Sequence, residues 1–132
     1  MKAVLLAGRI IFSLIFLLAA MGHFSSAEIA YASAQGVPMA SVLVPLSGVI
    51  SAVGALSIIL GYKARLGALL LVIFLVPVTL YMHAFWNVTD PMMKQMQMAM
   101  FMKNLSLLGG ALIIGYFGSG PLSIDSRKQA AN

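Results

Sequence analysis

A small set of polar side chains lies within or beside the long apolar stretches of this 132-residue chain. Polar groups are costly in hydrocarbon, so those found there are candidates for function. Imidazole, ammonium, carboxamide, indole and carboxylate groups can together bind charges, donors and acceptors. Their positions predict one polar cluster near the outer end of the apolar stretches, where it would meet a ligand or a partner. The candidate binding residues are His23, Glu28, His83, Trp86, Lys103 and Asn104.

Each of these residues also has a simpler structural interpretation. Glu28 follows Ser25 by three positions, which fits a capping box at the start of a short helix. Trp86 carries a ring that favours the lipid head-group region, and the long stem of Lys103 can reach that region too. The two histidines and the asparagine could be solvated or hydrogen-bonded inside a bundle. The sequence leaves both interpretations open.

Metal binding is a weaker alternative for the same region. Two histidines at one depth are compatible with a bis-histidine haem, although two residues are a thin signal. Thioethers suit Cu(I), and Met92, Met96 and Met100 share one helical face near His83. Methionine is equally a flexible apolar filler where a helix enters a membrane. We therefore expect no metal site, and neither haem nor copper as a cofactor.

Few groups in the chain are suited to catalysis. It contains three acidic residues in all and no cysteine, which excludes thiolate ligands and disulfide exchange by this chain alone. No nucleophile–base pair, paired carboxylates or phosphate-binding glycine loop is present. We expect no catalysis by the chain alone, and whether it serves as a subunit of an oxidoreductase is left open.

The apolar stretches that carry these residues predict membrane helices. Hydrophobic residues make up 61% of the chain and charged residues 8%, whereas a soluble domain has about a quarter charged residues. A hydrocarbon core needs about 20 apolar residues per helix, and backbone in lipid must be helical. Residues 1–132 are therefore predicted to form a single transmembrane domain. Its spans are at about 3–22, 42–60, 66–85 and 98–117.

Charge predicts the orientation of the bundle. Lysine and arginine are in excess on one side, and such an excess stays in the cytoplasm, so both termini should face inward. Arg9 would reach the inner head groups from within the first helix. The net charge of +5 is scattered rather than clustered, which argues against nucleic acid as a partner. The six inner cations are Lys2, Arg9, Lys63, Arg65, Arg127 and Lys128, and the two outer ones are Lys94 and Lys103.

Local signals refine this picture of an all-α, four-helix bundle with a short interfacial helix in its first outer loop. Ser25 should begin the interfacial helix, and Gly36 should close it in a left-handed conformation. Asp90 before Pro91 is typical of a helix start, which places the beginning of the last helix outside the membrane. Small residues of the second and fourth spans, including Ser47 and Gly110, should form the helix contacts.

Several segments in order resemble the DoxX family of small bacterial membrane proteins. They are Gly36-Val37-Pro38, Leu60-Gly61-Tyr62-Lys63-Ala64-Arg65, His83-Ala84-Phe85-Trp86, Asp90, Gln97, Phe101-Met102-Lys103-Asn104-Leu105 and Leu108-Gly109-Gly110. The resemblance runs over nearly the whole chain. It implies a multi-pass protein of the bacterial inner membrane and marks His83, Trp86, Lys103 and Asn104. The family often has a glutamate where this chain has Ser51, so a proton or cation role resting on that acid is in doubt.

By the same resemblance, the function implied is that of an accessory subunit of a quinone-linked redox or oxidative-stress system. Quinone is then the one possible cofactor, and other membrane or redox proteins, or further copies of the chain, would be partners beside the lipid bilayer. The alternative is a small transporter or copper-handling protein that uses the outer methionine and histidine face.

Overall fold

The computed structural model describes residues 1–131, which form helices and connecting turns without a strand in that range. Four helices are long and apolar enough to cross a membrane, which confirms the predicted all-α architecture. The helices are α1 (Lys2–Ala20), α2 (Ser26–Ala34), α3 (Ala40–Leu60), α4 (Ala64–Met82), α5 (Pro91–Phe117) and α6 (Ile124–Ala131). Short 3-10 turns follow α1 at Met21–Phe24 and α4 at Phe85–Asn87.

The helices pack in a simple order. α3 lies against α1 on one side and α4 on the other, and α5 packs on α4. We call the end with residues 21–39 and 83–90 the loop face. The end with the α3–α4 turn and residues 118–131 is the terminal face, where α1 also begins. That the terminal face is cytoplasmic stays a prediction from charge.

The interfacial helix α2 forms where the sequence placed it, but only half of its capping box is made. The Ser25 side chain accepts a hydrogen bond from the Glu28 amide at 3.2 Å. The reciprocal bond is absent, because the Ser25 amide donates to the Gly22 carbonyl instead. The Glu28 carboxylate is therefore not used in the cap. Gly36 closes the helix at φ 88°, as expected.

Glycine allows the α3 and α4 backbones to touch. A Cβ at Gly67 would lie 2.8 Å from the Gly54 carbonyl, and one at Gly54 would lie 2.9 Å from the Gly67 carbonyl. Next to this crossing, Ile58, Leu71 and Leu75 are almost completely buried. This close packing builds an apolar core between α3 and α4. Because lipid provides no hydrophobic force between helices, their association depends on such packing.

The expectation that Arg9 reaches the lipid head groups is wrong. Its side chain is 5% exposed and donates to the carbonyls of Ser119 and Leu122, each at 2.6 Å. The chain after α5 folds back under the bundle and presents these carbonyls, which pair one N–H of each terminal guanidinium nitrogen, while Nε is buried without a partner among the described residues. Arg9 thus connects α1 to the segment 118–131.

Asp125 fastens the same segment to the α3–α4 turn. One carboxylate oxygen accepts from the Lys63 amide at 3.0 Å, the other accepts from the Ser119 hydroxyl at 3.1 Å, and the Asp125 amide donates to Gly61. The hydrogen bond from the Lys63 amide lowers the pKa of Asp125 below its ordinary 3.8. Bonds from Ser119 and Ala64 lower it further, and partial burial opposes them.

Release of the segment by acid is the expected consequence. A carboxyl whose folded pKa is depressed adds stability above its unfolded pKa, and this stability is lost as pH falls through the folded value. Backbone NMR resonances of residues 118–131 in micelles should therefore be constant at neutral pH and shift only in strongly acidic buffer. Asp125→Asn should remove that transition. Wild-type resonances that move near neutrality instead would contradict this assignment.

Candidate functional site

A cavity of about 500 Å³ opens at the loop face of the bundle. Its walls are mainly apolar and come from α1, α2, α3, α4 and α5. Five of the six candidate residues line it, and Trp86 does not. The polar lining residues are His23, Glu28, Tyr31, Ser47, Tyr81, His83, Lys103 and Asn104.

His23 is held in one orientation by α3. Its Nδ1 lies 2.8 Å from the Ser47 hydroxyl, which itself donates to the Val44 carbonyl at 2.7 Å. Since the hydroxyl proton is used on Val44, Nδ1 must carry the proton and donate to Ser47. The Phe74 ring lies 5.5 Å from the imidazole. Nε2 has no partner among the described residues, so this nitrogen remains available to a ligand as an acceptor.

His83 is fixed in the same manner from α5. It follows the last residue of α4, and its Nδ1 lies 2.8 Å from Gln97 Oε1. A carboxamide oxygen only accepts, so Nδ1 donates and Nε2 is again left without a partner in the described part of the chain. Both histidines therefore share one tautomer, with Nε2 as the nitrogen not used for structure.

Asn104 presents an unpaired carboxamide to the cavity. The residue is 5% exposed, yet its carboxamide makes no hydrogen bond to any described residue. Its amide atoms are not fully enclosed, because the only enclosed side-chain nitrogen and oxygen atoms without a partner among the described residues are Arg9 Nε and Ser13 Oγ. The helix positions it firmly, because Asn104 lies on the side of α5 that faces the bundle while its neighbours Lys103 and Leu105 are exposed.

Two opposite charges line the cavity without pairing with each other. Among the described residues, the only hydrogen-bond partner of Lys103 Nζ is the Met100 sulfur at 3.7 Å, which is a weak acceptor. Glu28 makes no ion pair within 4.0 Å in the described residues. Gly22 leaves room for the carboxylate, since a Cβ there would lie 3.3 Å from Glu28 Oε2. The cavity therefore presents a cation, an anion and an unpaired amide.

Trp86 lies outside this cavity in a separate aromatic cluster. Its ring contacts Phe85 and Phe101 edge-on, with centroid distances of 5.3 and 5.8 Å. Half of the residue is exposed, and it lines a shallower cleft that also contains Asp90. This position fits the interfacial anchor that was the alternative interpretation.

The methionines of the weak metal alternative also lie elsewhere. Met92, Met96 and Met100 are exposed on α5, and none of them lines the cavity that contains His83. Among residues 1–131, no three His, Cys, Asp or Glu side chains are grouped as a metal would require.

Sequence reasoning missed the residues that orient the two histidines. Ser47 was interpreted only as a small packing residue, and Gln97 only as part of a family resemblance. A usable signal existed for Gln97, because it precedes Asn104 by seven positions and therefore lies on the same face of α5. Tyr31 was missed as well, although it lies one turn after Glu28 on α2.

Comparison with known proteins connects the chain to membrane proteins. The SURF4 family model matches residues 1–130. A Surfeit locus protein 4 homolog of Drosophila melanogaster is 33% identical over 64% of this chain and 32% of its own length. Inner membrane protein YphA of Escherichia coli is 27% identical over 93% of the chain and 89% of its own length. The ER-derived vesicles protein ERV29 of Saccharomyces cerevisiae is 26% identical over 61% and 26%.

The chain thus spans about a third of the Drosophila relative and about a quarter of the yeast one, while it nearly equals the bacterial one in length. No solved structure matches. These results overturn the resemblance to the DoxX family, since the family model that covers the chain is SURF4. The accessory redox role and the quinone cofactor followed from the DoxX resemblance and lose their support with it, and none of these three relatives is named as an oxidoreductase.

Proposed function

We propose that this chain, which belongs to the SURF4 family, binds one amphipathic molecule taken from the bilayer. Membership of the family does not by itself identify that molecule. The polar head of this molecule would lie against His83, Lys103 and Asn104, and its apolar part along the cavity walls. The observation that carries the proposal is that Asn104, a largely buried residue, leaves its carboxamide unpaired by the described residues and open to the cavity.

The walls of the cavity suit the apolar part of such a ligand. Leu43, Leu46 and Ile73 line the cavity and are also 37%, 48% and 50% exposed at the surface of the bundle. A hydrocarbon chain can therefore pass between α3 and α4 into the surrounding lipid. The volume of about 500 Å³ lies within the usual range of about 300–1,000 Å³ for small-molecule sites.

The polar end suits a head group that both donates and accepts. Lys103 and the Asn104 amide donate, whereas an Nε2 without a proton, on either histidine, accepts. A relative of nearly equal length is an inner membrane protein of E. coli, which supports a bacterial inner membrane as the location. A quinone also has an apolar tail and acceptor oxygens, so it belongs among the ligands to be tested, without an implied redox role.

Asn104→Leu should weaken the ligand and leave the protein at least as stable. Leucine has a volume similar to that of asparagine and carries no polar group. Replacing an unpaired polar side chain in this way should be neutral or stabilising when no ligand is bound. It also removes one hydrogen bond to the head group, which should cost about tenfold in affinity. Mass spectrometry of ligands extracted from protein purified in mild detergent gives occupancy, and thermal unfolding gives stability.

The matched control is Asn87→Leu, because Asn87 lies in the shallower cleft with Trp86 and not in the cavity. Its occupancy should equal that of the wild type. Wild-type occupancy in Asn104→Leu, or a purified chain that never carries an amphipathic molecule, would refute the proposed function.

A further inference from the structure

The arrangement of charge in the cavity restricts the head group that would fit. Lys103 extends from α5 and Glu28 from α2, and both line the cavity, yet no ion pair within 4.0 Å joins them. Both residues are exposed, so an anionic head group would pair only with Lys103 and a cationic one only with Glu28. A ligand that contains both charges compensates both residues at once.

We propose that the ligand is a zwitterionic phospholipid with a primary ammonium group, as in phosphatidylethanolamine. This inference rests on the proposed function and identifies its ligand class. The phosphate lies against Lys103 and Asn104, and the ammonium lies against Glu28. The acyl chains follow the apolar walls towards the exposed side chains of α3 and α4.

The phosphate end is defined by adjacent donors. Lys103 supplies an ammonium whose only hydrogen-bond partner in the described chain is a thioether sulfur at 3.7 Å. The next residue, Asn104, supplies the carboxamide that lacks a partner. Phosphate oxygens accept strongly from charged and amide donors, and an ammonium is a common phosphate ligand. The carboxamide would thereby gain the hydrogen bond that the described residues do not provide.

The ammonium end is defined by a carboxylate that the fold leaves unused. Ser25 caps α2 without the Glu28 side chain, so the carboxylate is available to a ligand. Tyr31 lies on the same side of α2 and also lines the cavity. A primary ammonium donates three hydrogen bonds and a trimethylammonium donates none, which favours ethanolamine over choline beside a carboxylate.

Head-group selectivity of matched variants tests the inference. Delipidated protein in mild detergent is titrated with dioleoyl phosphatidylethanolamine, phosphatidylcholine or phosphatidylglycerol, and native mass spectrometry measures binding. The wild type should prefer phosphatidylethanolamine over the other two by about tenfold, since one charge-assisted bond separates them. Glu28→Gln should abolish this preference and retain phosphatidylglycerol, and Lys103→Gln should weaken all three lipids.

Two control variants remove the same charges outside the cavity. Asp90→Asn eliminates the other loop-face carboxylate while an asparagine preserves the cap of α5. Lys94→Gln eliminates the other α5 cation, which is exposed and does not line the cavity. Both variants should keep the wild-type preference, and loss of preference in either one would assign it to net charge rather than to the site.

The outcomes separate the two proposals. Lipid binding without head-group preference, a preference that survives Glu28→Gln, or retention of a quinone instead of phospholipid would overturn the ligand class and leave the binding function standing. No binding of any amphipathic molecule, or wild-type binding by Asn104→Leu, would overturn the binding function itself.

Discussion

Gly67→Val is expected to destabilise the bundle by about 3 kcal/mol, because it inserts atoms where the α3 and α4 backbones touch. A Cβ at this position would lie 2.6 Å from the Ser57 hydroxyl and 2.8 Å from the Gly54 carbonyl. Ser57 cannot turn away freely, since its hydroxyl donates to the Tyr62 carbonyl at 2.6 Å. The helices must therefore separate, and the apolar core beside Ile58 and Leu71 loses contacts with them.

Equilibrium unfolding in mixed micelles measures this effect directly. Gly109→Ala is the matched control, because a Cβ at Gly109, also inside a membrane helix, meets nothing within 4 Å. Alanine there should be neutral or slightly stabilising, as in an exposed helix interior. If the two variants unfolded at the same denaturant concentration, the close crossing of α3 and α4 would not be a source of stability.

Arg9→Met is expected to release the segment 118–131 from the terminal face while the four long helices stay folded. The methionine keeps the apolar stem but removes the donors to the Ser119 and Leu122 carbonyls. Hydrogen bonds from a charged donor contribute about 1.5–3 kcal/mol each, less the cost of burying the guanidinium. A net loss of about 3 kcal/mol corresponds to roughly a hundredfold faster local opening.

Hydrogen–deuterium exchange of residues 118–131 reports this opening, because exchange follows local unfolding. Lys2→Met removes a positive charge from the same end of α1, where the side chain is exposed, and should leave exchange unchanged. Equal exchange in wild type and Arg9→Met would mean that the buried guanidinium does not hold the segment. Arg9→Lys tests geometry further, since a single ammonium cannot reproduce the planar fork of donors.

Much of the candidate site followed from local rules. His23, His83, Lys103 and Asn104 stand near the same end of their apolar stretches, and spans of similar length that alternate in direction bring such ends together. These rules could not predict which side of each helix faces the cavity. Glu28 was assigned to a cap by a spacing rule, yet the Ser25 amide found a closer acceptor in the turn that precedes it.

Trp86 and the methionines Met92, Met96 and Met100 also show that the sequence does not predict which side of a helix faces the cavity. They lie at the predicted level of the bundle but outside the cavity, because position along a helix does not determine which neighbour it faces. Arg9 shows it most clearly. The position of Arg9 along α1 was evident from the sequence. Its hydrogen-bond acceptors, however, lie in the chain after α5, more than a hundred residues later in the sequence.

By itself, the sequence determined the membrane character, the number of long apolar helices and several helix ends. These features depend on composition, on backbone hydrogen bonding in hydrocarbon and on residues only a few positions apart. The tertiary structure decided which polar groups share a cavity, which of them are already paired, and that Arg9 and Asp125 hold the terminal face. Those outcomes depend on contacts between distant segments, and the rotation of each helix is set by packing, such as the Gly54–Gly67 crossing, rather than by local sequence.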